Sequence, residues 1–432
     1  MNKLTHDIYF LSLSLVIITL PYAFLPNNIA IIFFIVSWVA LIYNTTDFLF
    51  FKKLKSKAPA LLLISFALLY GLNAIIKPDE TESLLMALRN IEAKTAYIFF
   101  PFAMTGLTLL SGSKIKRLFD LYVITIIIAT GLCLVIATIK TVESGTVYFI
   151  NPVNNMDENN FMYHRLSSWI GIHAVYLASY TSLAFFIVFI GFVNKYEKFS
   201  PKKKVIHIVL LIYFATLVFL LKSISVSVSF LSIFLLLVLY YLYYQVKLNK
   251  VTILGFVLFI LLIVAVFSYG VNEKINIKMS LFDYSMEDIP PAANWNPVNL
   301  RLALWEISSQ IIRDNWLAGI GISRMDETLQ DYYSRNNFEF GLSNHFNPHN
   351  QFLQTFIILG IVGFALLVFI FLTSFKLALS KKDVLMTVFL STFFLFSISE
   401  STFAVNKGVV FFSFFLSFFT FLPEKSTIYL SK

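Results

Sequence analysis

Residues Asn344–Gly363 read NHFNPHNQFLQTFIILGIVG, so a polar cluster with two histidines runs without a linker into an apolar segment long enough to enter a bilayer. Pro348 fixes its own backbone φ and disfavours helix for the residue before it. We therefore expect a helix to begin at about Pro348 with Asn347 as its N-cap. This start would place His349 and Asn350 in the first turn, at the water boundary. The stretch predicts chemistry at a membrane surface.

The rest of the chain is also strongly apolar. Hydrophobic residues make up 58% of the 432 residues, charged residues 13%, and the mean hydropathy is +0.79, values that exclude a soluble domain. Twelve apolar segments can be distinguished, the sixth at roughly 170–193 and the ninth at roughly 252–269. We therefore predict an all-α polytopic membrane protein with about twelve transmembrane helices. The single cysteine, Cys133, excludes an intrachain disulfide.

Lysine clusters predict how the helices are oriented. With the N-terminus in the cytoplasm, the cytoplasmic segments hold about three times as many Lys and Arg residues as the short outer loops. We interpret the net charge of +9 as this orientation signal and not as a nucleic-acid-binding surface. On this topology residues 1–270 form transmembrane helices 1–9, residues 271–347 form one large, partly helical extracytoplasmic loop domain, and residues 348–432 form helices 10–12.

The outer loop contains an amphipathic helix and a glycine-rich turn. Four apolar residues recur at helical spacing on one face: Leu300, Leu304, Ile307 and Ile311. Arg301 and Trp305 fall on a neighbouring face. Gly319 and Gly321 allow a tight turn, which alone is weak evidence for a phosphate-binding loop. The loop arginines, Arg301, Arg313, Arg324 and Arg335, form either a solvated surface or a set of ligands for a lipid pyrophosphate.

Polar residues also occur at the ends of other predicted spans. Around the start of the sixth span lie His164, Arg165, His173 and Tyr176. Since polar side chains near the membrane are costly unless paired, these four either satisfy one another or line an outer cavity beside the substrate. Lys222, between the seventh and eighth spans, either snorkels to the interface or faces an anionic lipid headgroup.

The C-terminal third carries a recognisable set of motifs. In order, they are Arg301-x-x-x-Trp305, Gly319-x-Gly321, and His349-Asn350 followed after nine residues by Gly360-x-x-Gly363. This pattern resembles the O-antigen ligase and O-antigen polymerase superfamily. The plan of twelve spans with one large outer loop after the ninth resembles that superfamily more loosely.

The resemblance implies a function at the bacterial inner membrane. It implies a GT-C-like, inverting, metal-independent glycosyltransferase with its active site facing the periplasm, no cofactor and no nucleic-acid partner. The donor would be an undecaprenyl-pyrophosphate-linked glycan in contact with membrane lipids. The acceptor would be lipid A-core, a glycan or a protein, so ligase, polymerase and protein O-oligosaccharyltransferase activities all remain open.

The same resemblance assigns roles to residues. It makes His349 the candidate catalytic residue and Arg301 a candidate ligand of the donor pyrophosphate. Family members often carry Ser-Arg where this chain has Ser223-Ile224, so Lys222 is expected to supply the missing cation, with Arg324 as a further ligand. Six residues are expected to support the site: Asn350, His345, Trp305, Arg165, His173 and Tyr176.

Several alternatives remain open for this site. A histidine with an ordinary pKa of about 6.5 is a suitable base for a sugar hydroxyl, but His349 could instead cap or pack a helix start. Pro348 argues against a continuous helix joining His345 to His349, and no third ligand lies close in sequence, so we predict no metal. A transporter of lipid-linked glycans is the alternative from another class, and it would require charges along several spans and repeat symmetry.

Overall fold

The computed structural model describes residues 3–45, 49–76, 91–150, 157–244 and 297–423. The predicted ninth span and the first part of the predicted outer loop, residues 271–296, lie outside the described residues. Within the described ranges the chain is almost entirely helical. A short antiparallel hairpin of β1 (Tyr148–Ile150) and β2 (Asp157–Asn159), with Tyr148 opposite Asn159, is the exception.

Sixteen α-helices are present in the described ranges. They are α1 (Lys3–Thr19), α2 (Phe24–Thr45), α3 (Leu49–Lys55), α4 (Ala58–Ile76), α5 (Ala96–Ala103), α6 (Gly112–Ser144), α7 (Tyr163–Ser167), α8 (Ala174–Lys195), α9 (Pro201–Leu220), α10 (Ile224–Tyr244), α11 (Pro297–Asn315), α12 (Met325–Arg335), α13 (Glu339–Asn344), α14 (Gln351–Ser380), α15 (Val384–Ser399) and α16 (Asn406–Phe421). Short 3₁₀ turns cover Glu92–Thr95, Met104–Leu109, Ser168–Ile170 and Tyr196–Lys198.

Seven of these helices are long and apolar enough to cross a membrane: α2, α4, α6, α8, α9, α10 and α14. The apolar helices α1, α15 and α16 are shorter. The fourth apolar segment, predicted at roughly 95–110, is divided, because α5 contains Pro101 and gives way to the 3₁₀ turn Met104–Leu109. The helical, multi-pass membrane architecture is therefore confirmed, whereas the number of twelve spans stays a prediction.

Helix α16 lies at the centre of the bundle. From Lys407 to Phe421 all of its residues are buried, as expected of a helix that is apolar on every face. Its phenylalanines pack on those of α15, with the Phe393 and Phe412 rings 4.7 Å apart. Since lipid tails are as apolar as leucine, such close packing contributes much of the association of membrane helices. The packed α15–α16 pair gives the residues after α15 a fixed position.

Two lysines bind the carbonyl ends of neighbouring helices. Nζ of Lys407, which is 2% exposed, donates to the carbonyl oxygens of Leu20 and Tyr22 at the end of α1. Nζ of Lys381 donates to three carbonyls at the end of α16, those of Phe419, Thr420 and Leu422, at 3.0–3.2 Å. Cations are stabilised there because the last carbonyls of a helix have no intrahelical partner.

The described part of the predicted outer loop, residues 297–347, has its own small core. Leu304, Ile307 and Ile311 of α11 are fully buried against α12 and against Phe338, which confirms the predicted apolar face. Arg301 lies outside this core, on the neighbouring face of α11, as expected. The loop helices therefore present Arg301 to the membrane bundle.

Helix α14 is interrupted at Gly360, where φ is 65° and ψ is −162°. The carbonyls of Ile357 and Ile358, released by this kink, accept hydrogen bonds from the N–H groups of Ile320 and Gly321 at 2.8 and 3.0 Å. The Gly319-x-Gly321 turn is thus used to bind α14. The N–H of Gly319 also donates to the carbonyl of Asn315 at 2.9 Å, so all three amides of the turn are occupied by carbonyls, and the weak signal for a phosphate-binding loop has a structural explanation instead.

The bundle has a lysine-rich end and a polar end. At the first, Lys114 pairs with Asp7 at 2.6 Å, near the starts of α6 and α1. Helix α9 runs from the cluster Lys202–Lys204 to Lys222, and α14 runs from His349 to Lys381. Lys222 and His349 therefore lie at the opposite end from the lysine clusters, as the charge pattern predicts.

Candidate functional site

His349 lies in a turn before α14 and not in the first turn of the helix. The helix begins at Gln351, because Oδ1 of Asn350 accepts hydrogen bonds from the N–H groups of Phe352 and Leu353 at 2.9 and 3.1 Å. Oδ1 of Asn347 instead accepts from the N–H of His349 at 2.9 Å, so this residue forms a local turn. The predicted N-cap, Asn347, is therefore wrong, and the helix is capped three residues later by Asn350. His349 is held in the left-handed region, with φ 45°.

Glu400 joins the two residues that the sequence singled out most strongly. Its Oε2 lies 3.0 Å from Nδ1 of His349, and its Oε1 accepts a hydrogen bond from Nη2 of Arg301 at 2.8 Å. The Nε–H of Arg301 also donates to the carbonyl of Ser399 at 3.0 Å, and Ser225 donates to Oε1 of Glu400 at 3.3 Å. The end of α15 thus fixes both a candidate base and a candidate anion ligand.

The environment keeps Glu400 ionised. Burial alone would raise the pKa of its carboxyl, but the hydrogen bonds and charges of His349 and Arg301 outweigh burial and lower that pKa below its ordinary value. A carboxylate at Nδ1 favours the tautomer with a proton on that nitrogen. Nε2 is then the nitrogen of His349 that can accept a proton.

A cleft of about 610 Å³ opens beside this network. Its lining contains Glu400 and cations that include Arg301 and Lys222, the second of which is exposed and has φ 45°. The remaining lining comes from the β-hairpin, α7 and the residues around Lys222: Tyr148, Asn159, Met162, Tyr163, His164, Arg165, Val175, Ser223 and Ile224. The volume lies within the range of about 300–1,000 Å³ that is usual for ligand pockets.

The four polar residues near α8 divide between the cleft and the structure behind it. His164 and Arg165 line the cleft, with Arg165 stacked on Trp169 at 5.0 Å. His173 caps α8 and lies against the His164 ring at 3.8 Å, while the hydroxyl of Tyr176 donates to a backbone carbonyl. Burial, with a contribution from His173, lowers the pKa of His164 to about 4. The structure thus places His164 and Arg165 in the cleft wall and His173 and Tyr176 behind it.

Of the other predicted site residues, His349 and Asn350 do not line the cleft themselves, and three more have partners elsewhere. Trp305 packs against the core of the loop helices, and Arg324 is exposed at the start of α12 and is not among the cleft residues. His345 is exposed and lies 3.6 Å from Asp326, whereas His349 contacts Glu400, so the two histidines have different partners. No cluster of three or more metal-ligating side chains occurs among the residues that the structure describes.

Glu400 was missed by the interpretation of the sequence. It lies in the segment ESTFAV, directly after an apolar run, and an acidic residue at the end of a predicted span is a signal for function by itself. Ser225, which contacts both Glu400 and Arg301, carried no comparable signal because serines are frequent in that stretch. Spacing to His349 gives no guidance, since the two residues belong to different helices.

Comparison with known proteins identifies the region that contains these residues. Residues 208–368 match the family model described as O-Antigen ligase, which confirms the resemblance to the O-antigen ligase superfamily. The matched region includes Lys222, Arg301 and His349 and ends before Glu400. No curated protein matches the chain.

Proposed function

We propose that this chain, which carries the O-antigen ligase region of that superfamily, transfers or polymerises an undecaprenyl-pyrophosphate-linked glycan on the outer side of a bacterial inner membrane. The superfamily supports a membrane glycosyltransferase of the O-antigen ligase or polymerase type. The acceptor that completes the reaction is lipid A-core, a growing glycan or a protein. The chain His349–Glu400–Arg301 at the cleft is the observation that carries the proposal.

The reaction requires one base and one anion-stabilising group. Nε2 of His349 takes the proton of the acceptor hydroxyl while its oxygen forms a bond to the anomeric carbon of the donor sugar. The bond from that carbon to the pyrophosphate oxygen breaks, and the electron pair leaves with undecaprenyl pyrophosphate. Attack from the side opposite the leaving group inverts the anomeric carbon.

The cations of the cleft support departure of the pyrophosphate. Arg301 offers a planar set of donors whose orientation is fixed by Glu400 and by the Ser399 carbonyl. Lys222 adds a positive charge from another helix junction, two residues before Ile224, the position at which the superfamily often has an intramembrane arginine. These two cations stabilise charge that develops on the leaving group, so the proposed mechanism includes no divalent metal.

Glu400 acts through its neighbours in this scheme. One carboxylate oxygen holds the His349 ring with Nε2 available, and the other holds Arg301 in position. Because neither residue can be repositioned without disturbing Glu400, proton removal and leaving-group stabilisation are coupled by a single side chain. We therefore describe Glu400 as a positioning residue.

Purified protein in detergent or nanodiscs tests the proposal. Lipid-linked donor and candidate acceptors are supplied, and glycan transfer is measured in a single turnover, with donor binding measured on the same samples. Wild-type protein should transfer glycan in the presence of a chelator, and His349→Ala should retain donor binding while its turnover falls by about 10²–10⁴. His207→Ala, at the opposite end of the bundle, is the matched control. Loss of donor binding in His349→Ala with unchanged single-turnover chemistry would contradict the assigned role.

A further inference from the structure

A second cavity lies beside the loop that carries His349. Its volume is about 350 Å³, and it shares no lining residue with the cleft. The loop contributes His345, Phe346 and Asn347, and the start of α14 contributes Gln351 and Gln354. Other elements contribute Tyr70, Lys94, Ser323, Asp326 and Phe403, among others. This polar cavity is not used by the proposed chemistry of the donor.

Two buried polar groups in the cavity wall have no hydrogen-bond partner among the described residues. They are Oε1 of Gln354, whose side chain is 9% exposed, and Oγ of Ser323. Gln351 on the same helix face is satisfied, because it donates to Thr355 at 2.9 Å and accepts from the N–H of Phe403 at 2.6 Å. A buried polar atom without a partner costs about 1–3 kcal/mol, so such atoms indicate a place for water or a ligand.

The chemistry of the lining suits a neutral, polyhydroxylated ligand. Amide and hydroxyl groups can donate to and accept from sugar hydroxyls, and the rings of Tyr70, Phe346 and Phe403 provide apolar surface for a sugar face. Lys94 is 6% exposed, its Nζ donates to the Phe403 carbonyl, and burial lowers its pKa to about 7. Because its Nζ already donates to the Phe403 carbonyl, Lys94 is less available to a phosphate than Arg301 is in the cleft.

The position of the cavity indicates which of the two substrates it would bind, namely the acceptor. Glu400 lines the cleft, whereas Phe403, in the same segment after α15, lines the second cavity. His349 contacts Glu400 and is flanked in sequence by Asn347 and Gln351, both of which line the second cavity. His349, which lines neither space itself, therefore lies between a contact in the cleft wall and two neighbours in the cavity wall. In an inverting displacement the nucleophile attacks from the side opposite the departing group, so the acceptor needs a site separate from that of the pyrophosphate. This cavity, which shares no lining residue with the cleft, is such a separate site.

We propose that this second cavity binds a sugar residue of the acceptor glycan, with Gln354 and Ser323 as hydrogen-bonding partners. The inference rests on the proposed function, since it needs a donor in the cleft. It predicts that changes in the cavity affect the acceptor and leave the donor unaffected.

The test compares three variants of the full-length protein. Gln354→Leu keeps the size of the side chain and removes its amide, and Ser323→Ala makes a smaller change that leaves the fold intact. Each should raise the KM for acceptor glycan about threefold to tenfold, as expected for one lost hydrogen bond, with the KM for donor and the rate of donor hydrolysis unchanged. Gln330→Leu is the matched control, because Nε2 of Gln330 is also buried without a described partner but does not line the cavity.

A binding experiment without donor separates this inference from the proposed function. Oligosaccharides released by mild acid from the surface glycan of the producing bacterium serve as the probe, and their contact with the protein is measured by saturation-transfer NMR. Wild type and Gln330→Leu should bind the probe, and Gln354→Leu and Ser323→Ala should bind it more weakly by the same factor as in the kinetics. Absence of binding, or equal binding by all three variants, overturns the inference. Absence of any glycan transfer, with binding intact, overturns the proposed function instead.

Discussion

The backbones of Gly319 and Gly360 lie in direct contact: a Cβ on Gly319 would lie 2.6 Å from the amide nitrogen of Gly360. A Cβ on Gly360 would in turn clash with the carbonyl oxygen of Leu317. Only glycine permits this approach, which fastens the loop helices to the kink of α14. Since the loop carries Arg301 and α14 follows His349, the contact also helps to set the positions of the two residues relative to each other.

Gly360→Ala should therefore destabilise the protein. The backbone at φ 65° and ψ −162° is a region that essentially only glycine adopts, with a cost of about 1–3 kcal/mol before the clash with Leu317 is added. Gly131→Ala in α6 is the control, because its new methyl group would have no described atom within 4 Å and alanine favours helix by about 1 kcal/mol. Thermal unfolding in detergent should show a lower Tm for the first variant only. Equal Tm values for Gly360→Ala and the wild type would contradict the assigned role of the Gly319–Gly360 contact.

His349 and Glu400 should behave as one unit in a double-mutant cycle. If Glu400 acts on proton transfer through His349 and on the leaving group through Arg301, Glu400→Ala should slow transfer less in the His349→Ala background than in the wild type. The cost that remains there should be the part that passes through Arg301. The pair His349→Ala and Lys222→Asn removes a base and a leaving-group cation, so its two costs should multiply. Single-turnover transfer provides the rates. Multiplicative costs for the first pair would show that Glu400 acts independently of His349.

Arg301 and Lys222 should each contribute to donor binding. Charge-assisted contacts are worth about 1.5–3 kcal/mol, so Arg301→Ala and Lys222→Asn should each weaken binding of the lipid-linked donor about tenfold or more. Asparagine is used at position 222 because it tolerates φ 45°. Arg301→Lys keeps the charge, loses the planar fork and should recover only part of the affinity. Lys202→Asn, at the opposite end of α9, should bind donor as the wild type does.

His164 should make the protein less stable in acid. Its pKa is lowered from 6.5 to about 4, so between these two values the unfolded chain binds a proton that the folded protein excludes. Stability therefore falls as pH falls from about 6.5 to about 4. In His164→Gln the Tm should fall less steeply across this window, and its offset from wild type should be constant above pH 7. If the Tm values of the wild type and of His164→Gln fell in parallel down to pH 4, the lowered pKa of His164 would be contradicted.

The orientation of the bundle can be measured by single-cysteine labelling. In a Cys133→Ser background, Ser334→Cys lies on an exposed face of α12 and Ser113→Cys at the lysine-rich end. An impermeant maleimide applied to intact spheroplasts should label the first variant, and the second only after lysis. The reverse pattern would place His349 and Arg301 in the cytoplasm, where the proposed donor orientation fails.

The sequence predicted the parts of the site that are local in the chain. Arg301 lies beside an apolar helical face, and His349 precedes a long apolar run, so both were identifiable from periodicity and from the superfamily motifs. Glu400 was not, because its significance depends on the packing of α15 against α14 and α10, which no spacing in the sequence encodes. The second cavity could not be predicted from the sequence for the same reason, since its walls come from five separate segments of the chain.

Local rules also failed where two capping residues competed. Asn347 and Asn350 both satisfy the preference for a helix cap, and Pro348 favoured the earlier one. The structure uses Asn350, and Asn347 instead turns the backbone at His349. Gly319 and Gly321 were likewise ambiguous, because glycine marks close backbone approach without indicating whether phosphate or protein backbone is the partner.

The contact of Lys407 with the end of α1 has a consequence for biogenesis. The ribosome synthesises α1 hundreds of residues before α16. The carbonyls of Leu20 and Tyr22 therefore have no hydrogen bond from Lys407 until α16 has been made. Lys407 lies on a phenylalanine-rich helix, and its ammonium group makes these two hydrogen bonds only after α16 has taken its place beside the end of α1. The contact between the two ends of the chain is therefore one that forms only after the last described helix has been synthesised.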